Sequence, residues 1–227
     1  MLENVKTVAI VKRLLAASFA LGLVCGTQFG LSPASAAQIS VRLTDAAGAP
    51  VPDGVVYAVR LGAATRSATP RPAVIEQKDY KFSPFVSVVQ AGTSISFPNR
   101  DPVRHHVFSF SAAKTFELKL YGGNDAAPVV FDKAGVVTLG CNVHDWMVGY
   151  VLVVDSPYFA KVDAQGMAQL RVAAGDYEVY AWHPFQSGAT APVKLKIAAN
   201  AAENATFTLA LTPRKPRDGA PMTDMKH

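Results

Sequence analysis

Short apolar runs separated by Gly, Pro, Asn and Asp recur along most of this chain, and many of them alternate between apolar and polar positions. Alternation with a period of two is typical of half-buried strands, whereas no stretch combines the period and the length of an amphipathic helix. The pattern predicts an all-β protein, and the even spacing of short strands favours Greek-key β-sandwiches. Predicted strands are Val55–Arg60, Val86–Gln90, Ser94–Phe97, His106–Phe110, Val129–Phe131, Val136–Leu139 and Gly149–Val154.

A loop near residue 144 concentrates metal-binding side chains. Cys141, His144 and Met147 follow one another at intervals of three residues, and an apolar run over 148–154 comes next and predicts a buried strand. A thiolate, an imidazole and a weak axial thioether form a blue-copper ligand set once a second imidazole joins them. The sequence therefore predicts one type 1 copper ion.

The second imidazole comes from upstream, where two histidines stand side by side. His105 and His106 open a predicted strand directly after a polar turn. The geometry of such a turn allows either ring to reach the copper.

The first 36 residues have the pattern of a secretory leader. A basic start with Lys6, Lys12 and Arg13 precedes an apolar stretch that is too short to span a bilayer, and small residues at 34–36 suit cleavage. We expect residues 1–36 to be a signal peptide, no membrane span after its removal, and a periplasmic or secreted protein.

The charge and the cysteine content limit the classes of function that the sequence allows. Without the leader the basic residues fall from 22 to 19 and the acidic residues from 17 to 16, so the formal net charge falls from +5 to +3. No cluster of basic and aromatic residues suggests nucleic-acid binding. Cys141 is then the only cysteine. A lone thiol in an oxidising compartment is prone to intermolecular pairing, which a bound metal prevents; an inert buried cysteine is the alternative.

Three turn motifs lie before and after the region that contains the candidate copper ligands, and together they follow the pattern of one known module. They are D-x-x-G-x-P at 45–50, D-x-x-G at 163–166 and A-G-x-Y at 174–177. These motifs resemble the carboxypeptidase regulatory-like, transthyretin-type sandwich. Since the first motif is separated from the others, the resemblance implies an inserted copper domain, and simple tandem packing is the competing interpretation. The predicted division is a leader over 1–36, an accessory β-sandwich over 37–70 and 156–212, a copper domain over 71–155, and a disordered tail over 213–227.

The region from about Phe82 to Val154 resembles the cupredoxin family. Plastocyanins and amicyanins carry His-Asn-Val where this chain has His105-His106-Val107, and the loop Cys-x-x-His-x-x-Met has the amicyanin length. The resemblance implies His105, Cys141, His144 and Met147 as copper ligands, with His106 as the fallback for the first. A still closer likeness is to the secreted cupredoxin-like proteins often named "methylamine utilization protein".

The same resemblance points to residues around the ligands. Asn99, His106, Asp145 and Trp146 are candidates for tuning the site or forming a docking face, and Gly140 replaces the Tyr that gives plastocyanins a second electron route. Asp101 and Asp145 are interpreted as surface carboxylates, and His183 as part of an aromatic corner rather than a second metal site.

These observations predict a periplasmic blue copper protein that carries single electrons to or from a transient partner, such as a cytochrome or a dehydrogenase. No nucleophile triad, acid–base pair of carboxylates or nucleotide-binding loop indicates an enzyme. Two other functions remain open: copper delivery or storage, and an adhesion or carbohydrate-binding module.

Overall fold

A computed structural model describes residues 37–62 and 69–212, so the predicted leader and tail lie outside the described residues. Within these ranges no helix has the length and apolar content needed to cross a bilayer. Seventeen strands make up the described part of the chain: β1 Ala37–Asp45, β2 Val55–Arg60, β3 Ala73–Val74, β4 Glu76–Lys78, β5 Lys81–Ser83, β6 Val86–Gln90, β7 Thr93–Ser96, β8 His105–Ser111, β9 Lys114–Tyr121, β10 Val129–Phe131, β11 Gly135–Cys141, β12 Val148–Val154, β13 Tyr158–Lys161, β14 Met167–Val172, β15 Gly175–Trp182, β16 Val193–Ile197 and β17 Ala202–Leu209.

The strands at the two ends of the described chain form one sandwich, here called the accessory sandwich. One sheet has the order β14-β1-β17 and the other has the order β13-β2-β15-β16. Alternate residues of β1, such as Ile39 and Leu43, meet Tyr177 and Val179 of β15 in a common core. Strands that are far apart in sequence thus share one hydrophobic core.

The strands between them form a second sandwich, here called the central sandwich. A five-stranded sheet of order β6-β12-β11-β8-β9 packs on a three-stranded sheet of order β10-β7-β3. Phe97, Phe131, Leu139 and Val151 fill the core between the sheets. The β4–β5 hairpin pairs separately, and Phe82 of β5 reaches the same core.

A third apolar layer joins the two sandwiches. The outward side chains of β12, Leu152 and Val154, are buried with Val86 of β6 and with Val55 of β2. Since Val151 and Val153 face the central core, β12 is covered on both faces. This double burial explains why the strand is apolar throughout instead of alternating.

The prediction of an all-β chain built from sandwiches is confirmed. Predicted strands over 55–60, 86–90 and 129–131 have the bounds that the structure gives them. Long strands that were not predicted include β9 and β17. β9 alternates charged and apolar residues and follows β8 after a tight turn at 112–113. The boundaries proposed at residues 71 and 155 stay a prediction.

The third layer gives a matched test of how the sandwiches pack. Val154 is 3% exposed beneath the accessory sandwich, whereas Val136 lies on the same face of the same sheet and is 39% exposed. We expect Val154→Ala to lower the free energy of unfolding by about 2 kcal/mol, because two buried carbons are lost and a cavity remains. Val136→Ala should cost about 0.5 kcal/mol or less. Urea unfolding of the copper-free chain measures both, and equal losses would contradict the packing.

Candidate metal centre

The ends of two paired strands bring the first histidine and the cysteine together. His105 begins β8, Cys141 ends β11, and Cys141 pairs with Val107. Since residues 105 and 107 lie on the same face of β8, the His105 ring and the Cys141 thiol both point into the central core. Both side chains are buried, His105 completely.

Three ligand atoms converge at this point. The Cys141 Sγ lies 3.8 Å from the Nδ1 of His105 and 3.9 Å from the Nδ1 of His144. All three atoms lie within 4.8 Å of one another, and in the described part of the chain this is the one group of three His, Cys, Asp or Glu side chains with such spacing.

These separations fit a trigonal metal site. Bonds of about 2.1 Å to nitrogen and about 2.3 Å to sulfur, at about 120° to each other, correspond to S···N distances of about 3.8 Å. The observed distances match this value without any movement of the side chains. The donor set of one thiolate and two imidazoles is therefore arranged as a metal would require.

The β11–β12 loop shapes the other side of the site. Met147 donates its backbone N–H to the His144 carbonyl at 2.9 Å, which closes a tight turn between the two residues. The Met147 side chain is buried in the central core, whereas His144 is partly exposed. His144 is thus the accessible member of the group.

His106 lies on the opposite face of β8, away from Cys141. Its Nε2 is 3.0 Å from a carboxylate oxygen of Glu117, a contact at ion-pair distance whose angle does not form a hydrogen bond. Its ring meets the edge of Phe108. The structure therefore brings His105, and not His106, to the thiol.

Asn99 organises the loop that leads to His105. The buried Asn99 amide donates to the backbone carbonyls of Val103 at 2.7 Å and of Tyr121 at 3.2 Å. Its side-chain oxygen accepts the backbone N–H of Asp101 at 2.9 Å. Asn99 thus fixes the turn from which His105 enters β8.

The interpretation of Asp101 as a surface carboxylate is wrong. Its side chain is 6% exposed, and it accepts a hydrogen bond from His105 Nε2 at 2.8 Å. Burial raises the pKa of Asp101, but hydrogen bonds from His105, Tyr80 and Asp79 outweigh burial and bring the pKa below its usual value. The sequence offers one weak signal for this role, an acid four residues before a candidate ligand.

Two aromatic rings contact His144. Tyr80 meets its ring edge-on at a centroid distance of 5.0 Å, and Trp146 lies against it at 5.2 Å. Burial is the main cause that lowers the pKa of His144, and electrostatic interaction with His105 lowers it further. A lowered pKa favours the neutral imidazole, the form that binds metals. Tyr80 comes from the β4–β5 turn and was not identified from the sequence.

Asp145 is exposed in the ligand loop, and Gly140 lies beneath a neighbouring aromatic ring. A Cβ at Gly140 would stand 2.8 Å from the Phe108 ring, so a larger residue cannot fit there unless that ring moves. His183 is held by local hydrogen bonds, since its backbone N–H donates to Gln186 and its Nδ1 accepts from Phe185. It stays outside the metal-binding group.

Comparisons with known proteins give distant likenesses only. No family model matches the chain, and no curated protein matches it. Among solved structures, a purple cupredoxin from Nitrosopumilus maritimus is similar at 26% identity and a TM-score of 0.33, over 36% of this chain and 99% of that one. A reduced tryptophan-to-tyrosine variant of amicyanin is similar at 24% identity and a TM-score of 0.33, over 36% of this chain and 80% of that one.

A copper-containing nitrite reductase from Thermus scotoductus is similar at 20% identity and a TM-score of 0.35. That match covers 42% of this chain and 25% of the reductase, so the chain spans about a quarter of its length. TM-scores this low assign neither family nor function, and the chemistry of the site has to be argued from its own side chains.

The opposite orientations of the paired histidines predict opposite results on mutation. His105→Ala should lower the affinity for Cu(II) by more than about 100-fold, because losing a ligand costs more than the roughly 10- to 100-fold cost of losing a ligand's hydrogen-bond partner. His106→Ala, the matched control, should change the affinity by less than about threefold, because its ring lies on the opposite face of β8 from the thiol. Competition titration with a Cu(II) chelator measures both, and the reverse order would make His106 the ligand.

Proposed function

We propose that this chain is a type 1 copper protein that carries single electrons, with His105, Cys141, His144 and Met147 as the copper ligands. The observation that supports the proposal is the convergence of the Cys141 Sγ with two imidazole Nδ1 atoms at 3.8 and 3.9 Å. Bound copper would supply one-electron exchange between Cu(I) and Cu(II).

The donor set favours copper over zinc. Structural zinc sites take four strong ligands in a tetrahedron, whereas type 1 copper takes two imidazoles and one thiolate with a weak axial Met. Met147 lies three residues after His144, with its side chain buried beside Cys141 in the central core. We assign it the axial position.

The protein frame suits electron transfer better than copper release. His105 and Cys141 are buried on paired strands, and β12, which follows the ligand loop, is covered on both faces. The pairing of these strands therefore fixes the positions of two ligands. A fixed set of ligands keeps the geometry of the two oxidation states similar, which lowers the reorganisation energy of each electron transfer.

Electrons would pass through the His144 edge. His144 is the partly exposed ligand, Trp146 and Tyr80 extend its apolar surroundings, and Val143 beside it is 50% exposed. A small apolar face suits the brief encounters of redox proteins, whose interfaces are below about 1,200 Å². The proposed partner is a redox protein such as a cytochrome or a dehydrogenase.

The compartment is part of the same proposal. The leader pattern over residues 1–36 and the single remaining cysteine suit a periplasmic or secreted protein. Ligation would protect the Cys141 thiol from oxidation there. We propose electron transfer as the function of this chain and assign it no enzymatic reaction.

Spectroscopy tests the copper assignment directly. The oxidised, copper-reconstituted chain should show an intense visible thiolate-to-Cu(II) charge-transfer band and an EPR spectrum with the narrow copper hyperfine splitting of type 1 sites. Cys141→Ser should abolish the band, because it removes the thiolate. A wild-type chain that binds only Cu(I) and stays colourless would indicate delivery or storage, and a tetragonal EPR spectrum would exclude a type 1 site.

The proposed docking face predicts a kinetic effect of Trp146. Trp146→Ala should slow electron exchange with the redox partner about fivefold, since truncating an aromatic at an interface costs about 1 kcal/mol or more. The control is Phe110→Ala, which removes an 80%-exposed aromatic five residues along β8 from His105. Stopped-flow kinetics measures both variants. Equal rates for the two variants would exclude Trp146 from the docking face.

A further inference from the structure

One buried carboxylate receives three hydrogen bonds next to the proposed ligands. Asp101 Oδ1 accepts the backbone N–H of Asp79 at 2.7 Å, and Oδ2 accepts the backbone N–H of Tyr80 at 3.1 Å. Oδ2 also faces the Nε2 of His105 at 2.8 Å. The three groups belong to two segments that lie more than twenty residues apart in the sequence.

An ionised carboxylate is the short side chain that satisfies all three donors. It offers acceptor sites on both oxygens, whereas an amide would turn its NH₂ group toward at least one of the donors. An asparagine could still accept from His105 and Tyr80 through its single oxygen, but it would lose the bond to Asp79. The geometry thus selects aspartate over its neutral isostere.

The hydrogen bond to Asp101 decides which nitrogen of His105 is free. A carboxylate only accepts, so the His105 Nε2 carries the proton and the Nδ1 keeps its lone pair. The Nδ1 is the atom that lies 3.8 Å from the Cys141 Sγ. The tautomer that Asp101 imposes is therefore the one that can bind a metal beside the thiolate.

The same carboxylate also holds the turn whose Tyr80 ring lies against the metal-binding histidines. Asp79 and Tyr80 form the two-residue turn between β4 and β5, with φ angles of 54° and 60°. Two left-handed residues in such a turn indicate type I′ geometry, which favours Asn-Gly and is unfavourable for a tyrosine. The two hydrogen bonds to Asp101 hold this turn, and its Tyr80 ring contacts both His105 and His144.

We propose that Asp101 is a positioning residue of the copper site. It sets the metal-binding tautomer of His105, places a fixed negative charge behind that ligand, and holds Tyr80 over the His105–His144 pair. A negative charge and a more basic imidazole stabilise Cu(II) more than Cu(I), so Asp101 lowers the reduction potential. This inference rests on the proposed copper function.

Asp101→Asn tests the charge while it keeps the acceptor for His105. We expect the affinity for Cu(II) to fall about tenfold and that for Cu(I) to fall less, so the reduction potential rises. The matched control is Glu117→Gln, which removes a carboxylate from His106 on the outer face of the same sheet. If net charge alone mattered, both variants would shift the potential equally. An equal shift, or an unchanged potential in Asp101→Asn with the visible band intact, would overturn the proposal.

Nuclear magnetic resonance tests the tautomer without copper and without a variant that must fold. In the copper-free, full-length wild-type chain, ¹⁵N shifts and couplings of His105 should show a protonated Nε2 and an unprotonated Nδ1. A protonated Nδ1 would overturn the proposal. If the wild type instead shows this tautomer but gives no type 1 spectrum with copper, the electron-transfer function fails while the positioning of His105 by Asp101 stands.

Discussion

Successive side chains of a strand point to opposite faces, and in β8 this alternation fixes the site. His105, Val107 and Ser109 face the central core and are buried, whereas His106 and Phe108 face outward. The pairing of Cys141 with Val107 then places the thiol beside His105. A slip of one residue would turn His106 inward and His105 outward, so the metal-binding group depends on the register that burial imposes.

The chain after Cys141 is constrained by the packing of the two sandwiches. The segment 142–147 connects two neighbouring antiparallel strands and must therefore stay at one end of the sheet, which keeps His144 and Met147 near the thiol. β12 then runs between the central core and the layer shared with the accessory sandwich. The accessory sandwich thus covers the strand that anchors the ligand loop, and it leaves the outer face of β8 exposed around Phe110.

Loops that are distant in sequence complete the surroundings of the site. Asn99 holds the turn before His105, and Asp101 within that turn binds the β4–β5 hairpin. Through this hairpin Tyr80 contacts both imidazoles, and Trp146 also contacts His144. The hydrogen bonds of Asp101 therefore orient the buried ligand His105 and also hold the Tyr80 ring against the partly exposed ligand His144.

Local sequence patterns determined the all-β class, most strand positions and the cluster of sulfur and nitrogen donors around Cys141, because periodicity and short spacing report on neighbouring residues. They did not lead to a prediction of β9, although its alternation of charged and apolar residues has the period of a half-buried strand. Tertiary structure alone decided which of the two histidines meets the thiol and which distant groups surround it. Asp101 and Tyr80 show the reason: their roles arise from contacts between segments about twenty residues apart, and such contacts depend on how the sheets pack rather than on any pattern within one segment.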